Sequence, residues 1–267
     1  MHIEKISSLS NPKIKDVVAL QSSSQLRRER GLFIVEGLRE VSRCIKSGYT
    51  LSYLFYCPDI ISKESIPVNE VSIVYEISHP CYDKIAYRGG TEGVVAVVEM
   101  GNPKTLDSLK FKKTPLVVVL ESVEKPGNLG AILRSADACG VDAVIVCDPK
   151  TDLYNPNLIR ASLGGLFSLD VVATTSSEAI SFLKRAGINI YTAQLQNSKL
   201  YYDTDFTLPT AIVLGAEADG LSQQWRDASD GKILIPMNGI VDSLNVSVSM
   251  AVLCYEALRQ RTIKGVL

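Results

Sequence analysis

After Pro115 the chain alternates short apolar segments with helical patterns, and this alternation limits the fold more than any other feature of the sequence. The predicted strands are Leu116–Leu120, Ala143–Val146, Ser168–Val172, Asn189–Ala193, Ala211–Leu214 and Lys232–Ile235. Helices are predicted at Leu129–Cys139, Asn157–Leu163, Ser177–Ala186, Ser222–Ala228 and Val246–Gln260. Near-continuous apolar strands separated by helices predict an α/β fold with a parallel sheet that is covered on both faces.

The first hundred residues predict a smaller α/β unit of their own. A helix is expected to start at Asn11-Pro12, and strands are expected at Phe33–Val35, Leu51–Cys57, Val71–Ile77 and Val94–Val98. The stretch Gly101-Asn-Pro-Lys and the lysines between 110 and 113 are typical of a linker. We therefore predict a domain over residues 1–100, a linker over 101–113 and a second domain over 114–267.

The composition disfavours several kinds of chemistry. The six cysteines are scattered without a C-x-x-C pair, which favours reduced core thiols over a zinc site or a disulfide framework. With only two histidines, His2 and His79, a Ser-His or Cys-His mechanism and a histidine-based metal centre are disfavoured. The apolar runs are too short to cross a bilayer, and the first residues lack an apolar signal region. We expect a cytoplasmic protein with no metal and no membrane partner.

The start of the chain is locally basic although the whole chain is nearly neutral. The formal net charge is −1, whereas residues 1–45 carry eight lysines and arginines against five acidic residues. The densest cluster is Arg27, Arg28 and Arg30. Such a cluster can bind phosphates, although a solvated surface position is the more common explanation for any single one of these charges.

Three loops at the predicted carboxyl ends of strands are unusual, and ligands of parallel sheets bind at such ends. In the first loop, Pro126-Gly127 makes a turn and Asn128 is placed to cap the following helix. Arg134 interrupts that helix, whose other residues are small and apolar. An arginine among such neighbours either pairs at an interface or binds an anion.

The second loop follows Leu214 and contains Gly215, Ala216 and Glu217. Gly215 is expected to let a ligand approach the backbone, because glycine has no side chain. The chain contains neither G-x-G-x-x-G nor G-x-x-x-x-G-K-[ST], which disfavours a standard dinucleotide-binding or phosphate-binding loop.

The third loop lies within the stretch from Leu234 to Ser249. The backbone must leave the sheet at Pro236, since proline cannot donate to a central ladder. Ser243 and Asn245 stand where helix N-caps usually stand. An ordinary capped loop explains this stretch taken alone as well as a ligand site does.

Together the three loops resemble the three motifs of the SpoU/TrmH family, the S-adenosylmethionine-dependent RNA 2′-O-ribose methyltransferases of the SPOUT superfamily. The matching segments, in order, are Asn128-Leu-Gly-Ala-Ile-Leu-Arg134, Leu214-Gly-Ala-Glu217-Ala-Asp-Gly-Leu and Ile235-Pro-Met with Ser243-Leu-Asn-Val. The stretches Arg28-Glu-Arg-Gly-Leu-Phe-Ile-Val-Glu36-Gly37 and Thr91-Glu-Gly-Val-Val resemble the small substrate-binding domain of ribosomal-RNA members. The resemblance covers nearly all of the chain.

The resemblance implies a fold, an assembly and a site. It implies a parallel-sheet SPOUT domain with a C-terminal trefoil knot, a smaller α/β substrate-binding domain before it, and a homodimer. S-adenosylmethionine is expected at the backbone of Gly215, Ile235 and Leu244. The catalytic candidates carried over are Asn128, Arg134, Glu217, Ser243 and Asn245. The candidate RNA contacts are Arg27, Arg28, Arg30 and Arg134.

The implied reaction is 2′-O-methylation of RNA, and the full N-terminal domain favours ribosomal RNA over transfer RNA. The methyl donor is already activated, so the enzyme must hold donor and ribose oxygen in line and manage one proton. The proposed base of the family corresponds to Arg134, but a guanidinium is not deprotonated in proteins, and binding a phosphate suits it better. Glu217, helped by Ser243 and Asn245, is either a rival proton acceptor or the residue that orients the arginine. Relatives commonly carry Asn or Ser where this chain has Ala216. The alternative from another class is a catalytically silent RNA-binding or ribosome-assembly factor.

Overall fold

The computed structural model of the chain describes residues 2–87, 92–216 and 219–266. The strands are β1 (His2–Ile6), β2 (Leu32–Glu36), β3 (Leu51–Tyr56), β4 (Ile73–Ile77), β5 (Val94–Glu99), β6 (Leu116–Glu121), β7 (Ala143–Cys147), β8 (Val171–Thr174), β9 (Asn189–Ala193), β10 (Lys199–Leu200), β11 (Thr210–Leu214) and β12 (Gly231–Leu234). The α-helices are α1 (Pro12–Ser22), α2 (Ser24–Arg30), α3 (Leu38–Lys46), α4 (His79–Ile85), α5 (Pro126–Ala138), α6 (Pro156–Ala161), α7 (Gly165–Ser168), α8 (Ser176–Arg185), α9 (Gln223–Ala228) and α10 (Val246–Lys264). The helices and strands of the chain divide into two compact units, Met1–Pro103 with Asp152–Ser168, and Lys104–Thr151 with Leu169–Leu267.

The first unit is built on a mixed five-stranded sheet in the order β1-β4-β3-β5-β2. Strands β1, β4 and β3 run parallel to each other, whereas β5 is antiparallel to both β3 and β2. Helix α1 begins at Pro12 as predicted, and the Asn11 side chain caps it by accepting from the backbone N–H of Lys13. The sequence did not predict β1, because Glu4 and Lys5 interrupt its short apolar pattern.

The segment 152–168 belongs to the first unit although it follows β7 in the chain. The Tyr154 ring lies 4.5 Å from the Phe33 ring, and the Arg43 guanidinium donates to the Leu163 carbonyl at 2.8 Å. Gly164, which has a positive φ of 83°, lies so close to Arg43 that a Cβ there would stand 2.8 Å from its side chain. The domain limits 1–100, 101–113 and 114–267 stay a prediction. Residues 152–168 fall within the predicted domain 114–267, although they group with the first unit.

The second unit confirms the predicted α/β fold with a parallel sheet. Its seven strands follow the order β10-β12-β9-β11-β6-β7-β8, and every pair is parallel. Strands β6, β7 and β11 are buried along their whole length, as expected for a sheet covered on both faces. The strand predicted at Ser168–Val172 is misplaced, because Ser168 ends α7 and β8 starts at Val171. Periodicity cannot separate helix from strand in so short an apolar run.

Among the described residues, no helix combines the length and the apolar character that crossing a membrane requires.

Candidate active site

An open cleft of about 610 Å³ lies at the carboxyl ends of β9, β11 and β12. Its lining contains Gly215, Ile235 and Leu244, the three residues predicted to contact the cofactor. The lining also contains two of the catalytic candidates, Ser243 and Asn245. Three segments that are distant in sequence therefore meet at one edge of the parallel sheet, which is where such sheets bind ligands.

The lining combines backbone, apolar side chains and a few polar groups. Its ionisable side chains, among the residues that the structure describes, are Asp219, Arg226 and Asp242. The described part of the lining contains no histidine, cysteine or lysine. The cleft can therefore take a ligand that has both apolar and polar surfaces.

Gly215 begins a tight turn that closes on itself. An added Cβ at Gly215 would stand 2.2 Å from the carbonyl carbon and oxygen of Gly220, and 2.5 Å from the Leu221 nitrogen. The Gly220 N–H donates to the Ala216 carbonyl at 2.9 Å, which holds the turn together. The close approach of Gly220 is a second reason for a glycine at position 215, and the approach of a ligand to its backbone stays a prediction. Glu217 lies outside the described residues.

A buried carboxylate fixes the far end of this turn, and sequence reasoning missed it. Glu121 ends β6 and accepts from the Ser222 backbone N–H at 2.8 Å, just before α9. The Ser176 hydroxyl lies 3.3 Å from the other Glu121 oxygen, donates to Asp148 at 2.6 Å and accepts from the Trp225 indole at 3.0 Å. The sequence did contain a sign of this role, because Glu121 is an acidic residue at the end of an otherwise apolar strand. Such a buried network is rigid when each member has a partner.

Helix α10 begins at Val246 as the sequence predicted, and Asn245 is its N-cap. The Asn245 Oδ1 accepts from the Ser247 backbone N–H at 3.0 Å, and Nδ2 donates to Asn128 Oδ1 at 3.3 Å. One side chain thus caps α10 and contacts α5 across 117 positions of sequence. Ser243 is exposed and bonds to Asp242 at 3.1 Å.

Asn128 does not have its predicted role as a helix cap. Helix α5 begins earlier, at Pro126, with Lys125 at the N-cap position. Proline is favoured in the first helical turn because its missing N–H needs no partner there. Asn128 therefore lies inside the first turn, where its side chain faces Asn245. Arg134 lies further along α5 and is exposed. Within the part of the chain that the structure describes, neither Asn128 nor Arg134 lines the cleft.

The predicted RNA contact at Arg27 is wrong. Arg27 is only 2% exposed, and its guanidinium pairs with Asp152 at 2.6 Å while donating to the Leu20 and Gln21 carbonyls. A charge that is fully paired inside the first unit cannot bind a phosphate in solution. Arg28 and Arg30 are exposed, and Arg30 pairs with Asp16.

The cysteines have the properties of core residues. All six are buried free thiols. Burial raises the pKa of Cys139 to about 11 and also raises the pKa values of Cys147 and Cys254. These three thiols stay protonated at neutral pH, so none is an activated nucleophile.

Two family models match the chain, one in each half. The SpoU rRNA Methylase family matches residues 115–255, a range that contains the three motif loops. The MRM3-like substrate binding domain matches residues 11–96.

Named relatives match over nearly the whole chain. The 23S rRNA (uridine(2479)-2′-O)-methyltransferase of Streptomyces viridochromogenes is 31% identical over 264 residues, which cover 94% of this chain and 91% of the relative. The 23S rRNA (guanosine(2553)-2′-O)-methyltransferase RlmP of Bacillus subtilis is 28% identical over 262 residues, with 95% and 98% covered. The crystal structure of the AdoMet-bound rRNA methyltransferase from Sinorhizobium meliloti is similar at a TM-score of 0.88 and 28% identity, over 96% of this chain and 98% of that one.

Proposed function

Because the chain belongs to the SpoU rRNA Methylase family, we propose that it transfers the methyl group of S-adenosylmethionine to a ribose 2′-oxygen of ribosomal RNA. The observation that carries this proposal is the cleft at the carboxyl ends of β9, β11 and β12, with Gly215, Ile235 and Leu244 in its lining. A nucleoside cofactor suits a concave site with apolar walls and a few polar groups.

In this proposal the backbone at Gly215, Ile235 and Leu244 holds S-adenosylmethionine. When bound, the cofactor supplies a methyl group that its sulfonium charge has already activated. Asp219 and Asp242 outnumber Arg226 among the described charges of the lining, and this balance favours a cationic donor over a neutral one.

The chain's own polar residues would then position the ribose and remove its proton. A role for Asn245 and Asn128 in catalysis is supported by the hydrogen bond between them, because it links the cleft lining to α5, the helix that carries Arg134. We assign Arg134 to a phosphate of the RNA, since a guanidinium binds phosphate well and does not accept protons. We assign the proton of the attacking hydroxyl to the Glu217 carboxylate.

Ribosomal RNA is favoured over transfer RNA as the substrate. The two relatives that match over 94% and 95% of this chain are both named for 23S rRNA. Residues 11–96 match a substrate-binding domain that precedes the catalytic part. Arg28 and Arg30 are exposed in that range and remain candidates for RNA contact.

A homodimer, a trefoil knot and a cytoplasmic location are finer parts of the same proposal. The dimer is supported by exposed apolar side chains on α10, where Val248 is 47% and Tyr255 is 51% exposed. The knot is supported by the family match over residues 115–255, and the strand order β10-β12-β9 agrees with it. The location follows from a ribosomal-RNA substrate.

The proposal is tested by transfer of labelled methyl groups from S-adenosylmethionine to ribosomal and transfer RNA. Replacing Arg134 with alanine should lower the rate on ribosomal RNA about a hundredfold, since losing a positioning group costs that much. Arg185→Ala is the control, because Arg185 is an exposed arginine on α8, outside the cleft lining. Equal rates for the two variants would contradict the assignment of Arg134.

Asn245→Asp tests the contact between α5 and α10 without removing the helix cap. Aspartate can still accept from the Ser247 N–H but cannot donate to Asn128, so the rate should fall while stability is kept. Asn155→Asp makes the same change at the N-cap of α6 and should leave the rate unchanged.

No methyl transfer to either RNA by the unaltered protein, with no heat of cofactor binding in calorimetry, would favour a silent RNA-binding factor instead.

A further inference from the structure

Three side chains that can ligate a metal meet at one edge of the sheet in the first unit. Cys57 directly follows β3, and His79 begins α4 just after β4. Strands β3 and β4 are parallel neighbours, so their carboxyl ends lie side by side. Asp59 lies two residues after Cys57, in the same loop.

The ligand atoms of Cys57, Asp59 and His79 all lie within 4.8 Å of one another. Cys57 is buried, whereas Asp59 and His79 are exposed, so the cluster joins the core of the unit to its surface. The backbone N–H groups of Asp59 and Ile60 donate to the Cys57 sulfur, which fixes the position of the sulfur in the loop. The loop is held in shape by the Ile60 and Ile61 N–H groups, which both donate to the Cys57 carbonyl at 3.0 Å.

We propose that Cys57, Asp59 and His79 form a binding site for a divalent zinc-like ion. One thiolate, one imidazole and one carboxylate are the three ligand types that zinc takes in proteins. With bonds of about 2.0–2.3 Å, the ligands of one tetrahedral ion stand about 3.5 Å apart. The exposed Asp59 and His79 side chains need to close by about 1 Å to reach that spacing. Binding releases the Cys57 thiol proton to solvent, and water completes the fourth position.

Asp83 is placed to orient the imidazole. Its carboxylate oxygen lies 3.6 Å from Nε2 of His79, one helical turn further along α4. A carboxylate behind a metal-bound histidine fixes the ring and increases the affinity of the site. The ion would tie the loop after β3 to the start of α4. The residues of this site belong to the first unit and the described cleft residues to the second, and we assign the site no part in the methyl transfer proposed above.

The test is a titration of the full-length, reduced and chelator-stripped protein with Co²⁺, a spectroscopic substitute for Zn²⁺. The site should bind one equivalent of Co²⁺. Binding should produce a thiolate-to-cobalt charge-transfer band and the strong visible bands of a tetrahedral ion, and added Zn²⁺ should abolish both sets of bands. Cys57→Ser should remove the charge-transfer band. Cys81→Ser is the matched control, because Cys81 is a buried cysteine of the same core and lies outside the cluster.

The exposed ligands keep the proposal testable if Cys57→Ser fails to fold. Asp59→Asn and His79→Gln should each weaken Co²⁺ binding more than tenfold, and Asp83→Asn about tenfold. Binding without a charge-transfer band, or unchanged binding in the Asp59 and His79 variants, would overturn the site. Methyl transfer by the chelator-stripped protein should be unchanged, so the failure of one proposal is visible separately from the failure of the other.

Discussion

Arg261 is a buried arginine near the end of α10 that donates to backbone carbonyls. It is 2% exposed, and its guanidinium donates at 2.8–3.0 Å to the carbonyls of Phe206, Thr114, Pro115 and Leu208. Because these carbonyls belong to the segments that lead into β6 and β11, one side chain joins the end of α10 to two other parts of the second unit. Removing the guanidinium would take one donor from each of these carbonyls, although Thr210 also donates to the Pro115 and Leu208 carbonyls.

We expect Arg261→Met to lower the free energy of unfolding by about 3 kcal/mol, since four carbonyls lose a charged donor in a buried site. Urea unfolding followed by circular dichroism measures this change. Arg259→Met is the control on the same helix, because Arg259 is 57% exposed and pairs with Glu256 at the surface. That variant should change stability by no more than about 1 kcal/mol. Similar losses in both variants would show that the carbonyl contacts of Arg261 do not matter.

Glu36 is a partly buried carboxyl at the end of β2 in the first unit. Burial raises its pKa above the usual value of 4.5, although the Tyr87 N–H and Arg160 act in the opposite direction. The neighbouring Glu92 and Glu40 raise the pKa further. The folded chain therefore binds the Glu36 proton more tightly than the unfolded chain does. Its contribution to stability is complete below pH 4.5 and is lost as the pH rises through the folded-state pKa.

Glu36→Gln should therefore stabilise the protein at neutral pH and change it little at pH 4, with melting temperature as the measurement. Glutamine keeps an acceptor for the Tyr87 N–H. Glu178→Gln should show the opposite sign, because bonds from Thr174 and Thr175 lower the pKa of Glu178. The stability that Glu178 adds is present above the usual pKa and is lost as the pH falls. A Glu36→Gln effect that is independent of pH would contradict the role given to burial.

The turn between β11 and α9 is the element on which the cleft depends most directly. Gly215 approaches Gly220 so closely that any side chain would force the two strands of the turn apart. Glu121 holds the other end of the turn through the Ser222 N–H. Since Ala216, Asp219 and Gly220 line the cleft, a shift of this turn changes the shape of the site.

Gly215→Ala should lower methyl transfer about a hundredfold, because a displacement of about 1 Å at a reacting site has that effect. Calorimetry should show weaker binding of S-adenosylmethionine in the same variant. Gly239→Ala is the control in the neighbouring loop, since a Cβ at Gly239 meets no atom within 4 Å. Normal affinity and rate in Gly215→Ala would mean that the turn tolerates the shift.

At the scale of the whole molecule, the proposed dimer makes a prediction about α10. Val248 and Tyr255 are seven residues apart and share an exposed apolar face of α10. We propose that a second copy of the chain covers this face in the dimer. The double variant Val248→Lys, Tyr255→Lys should sediment as a monomer and lose methyl transfer. Ile263→Lys is the control, because Ile263 is 72% exposed on the last turns of the same helix. A dimer that survives the double variant would place the interface elsewhere.

The sequence by itself determined the parallel sheet and the three loops at its edge. Apolar runs such as Leu116–Leu120 report burial on both faces, and Pro236 ends a strand by its own chemistry. The cap at Asn245 was also predictable, because capping needs only the next two or three residues. These features depend on short stretches of chain, whose period and turn residues are visible in one dimension.

Only the tertiary structure decided which polar residues are buried and which meet. Arg27 has the sequence context of a surface charge, but Asp152, 125 positions away, neutralises it inside the first unit. The Asn128–Asn245 contact and the cluster of Cys57 with His79 likewise join residues that no local pattern relates. The physical reason is that the environment of a polar group is set by whatever the fold brings against it. That environment makes Arg27 a core residue, whereas Arg134 lies exposed on α5.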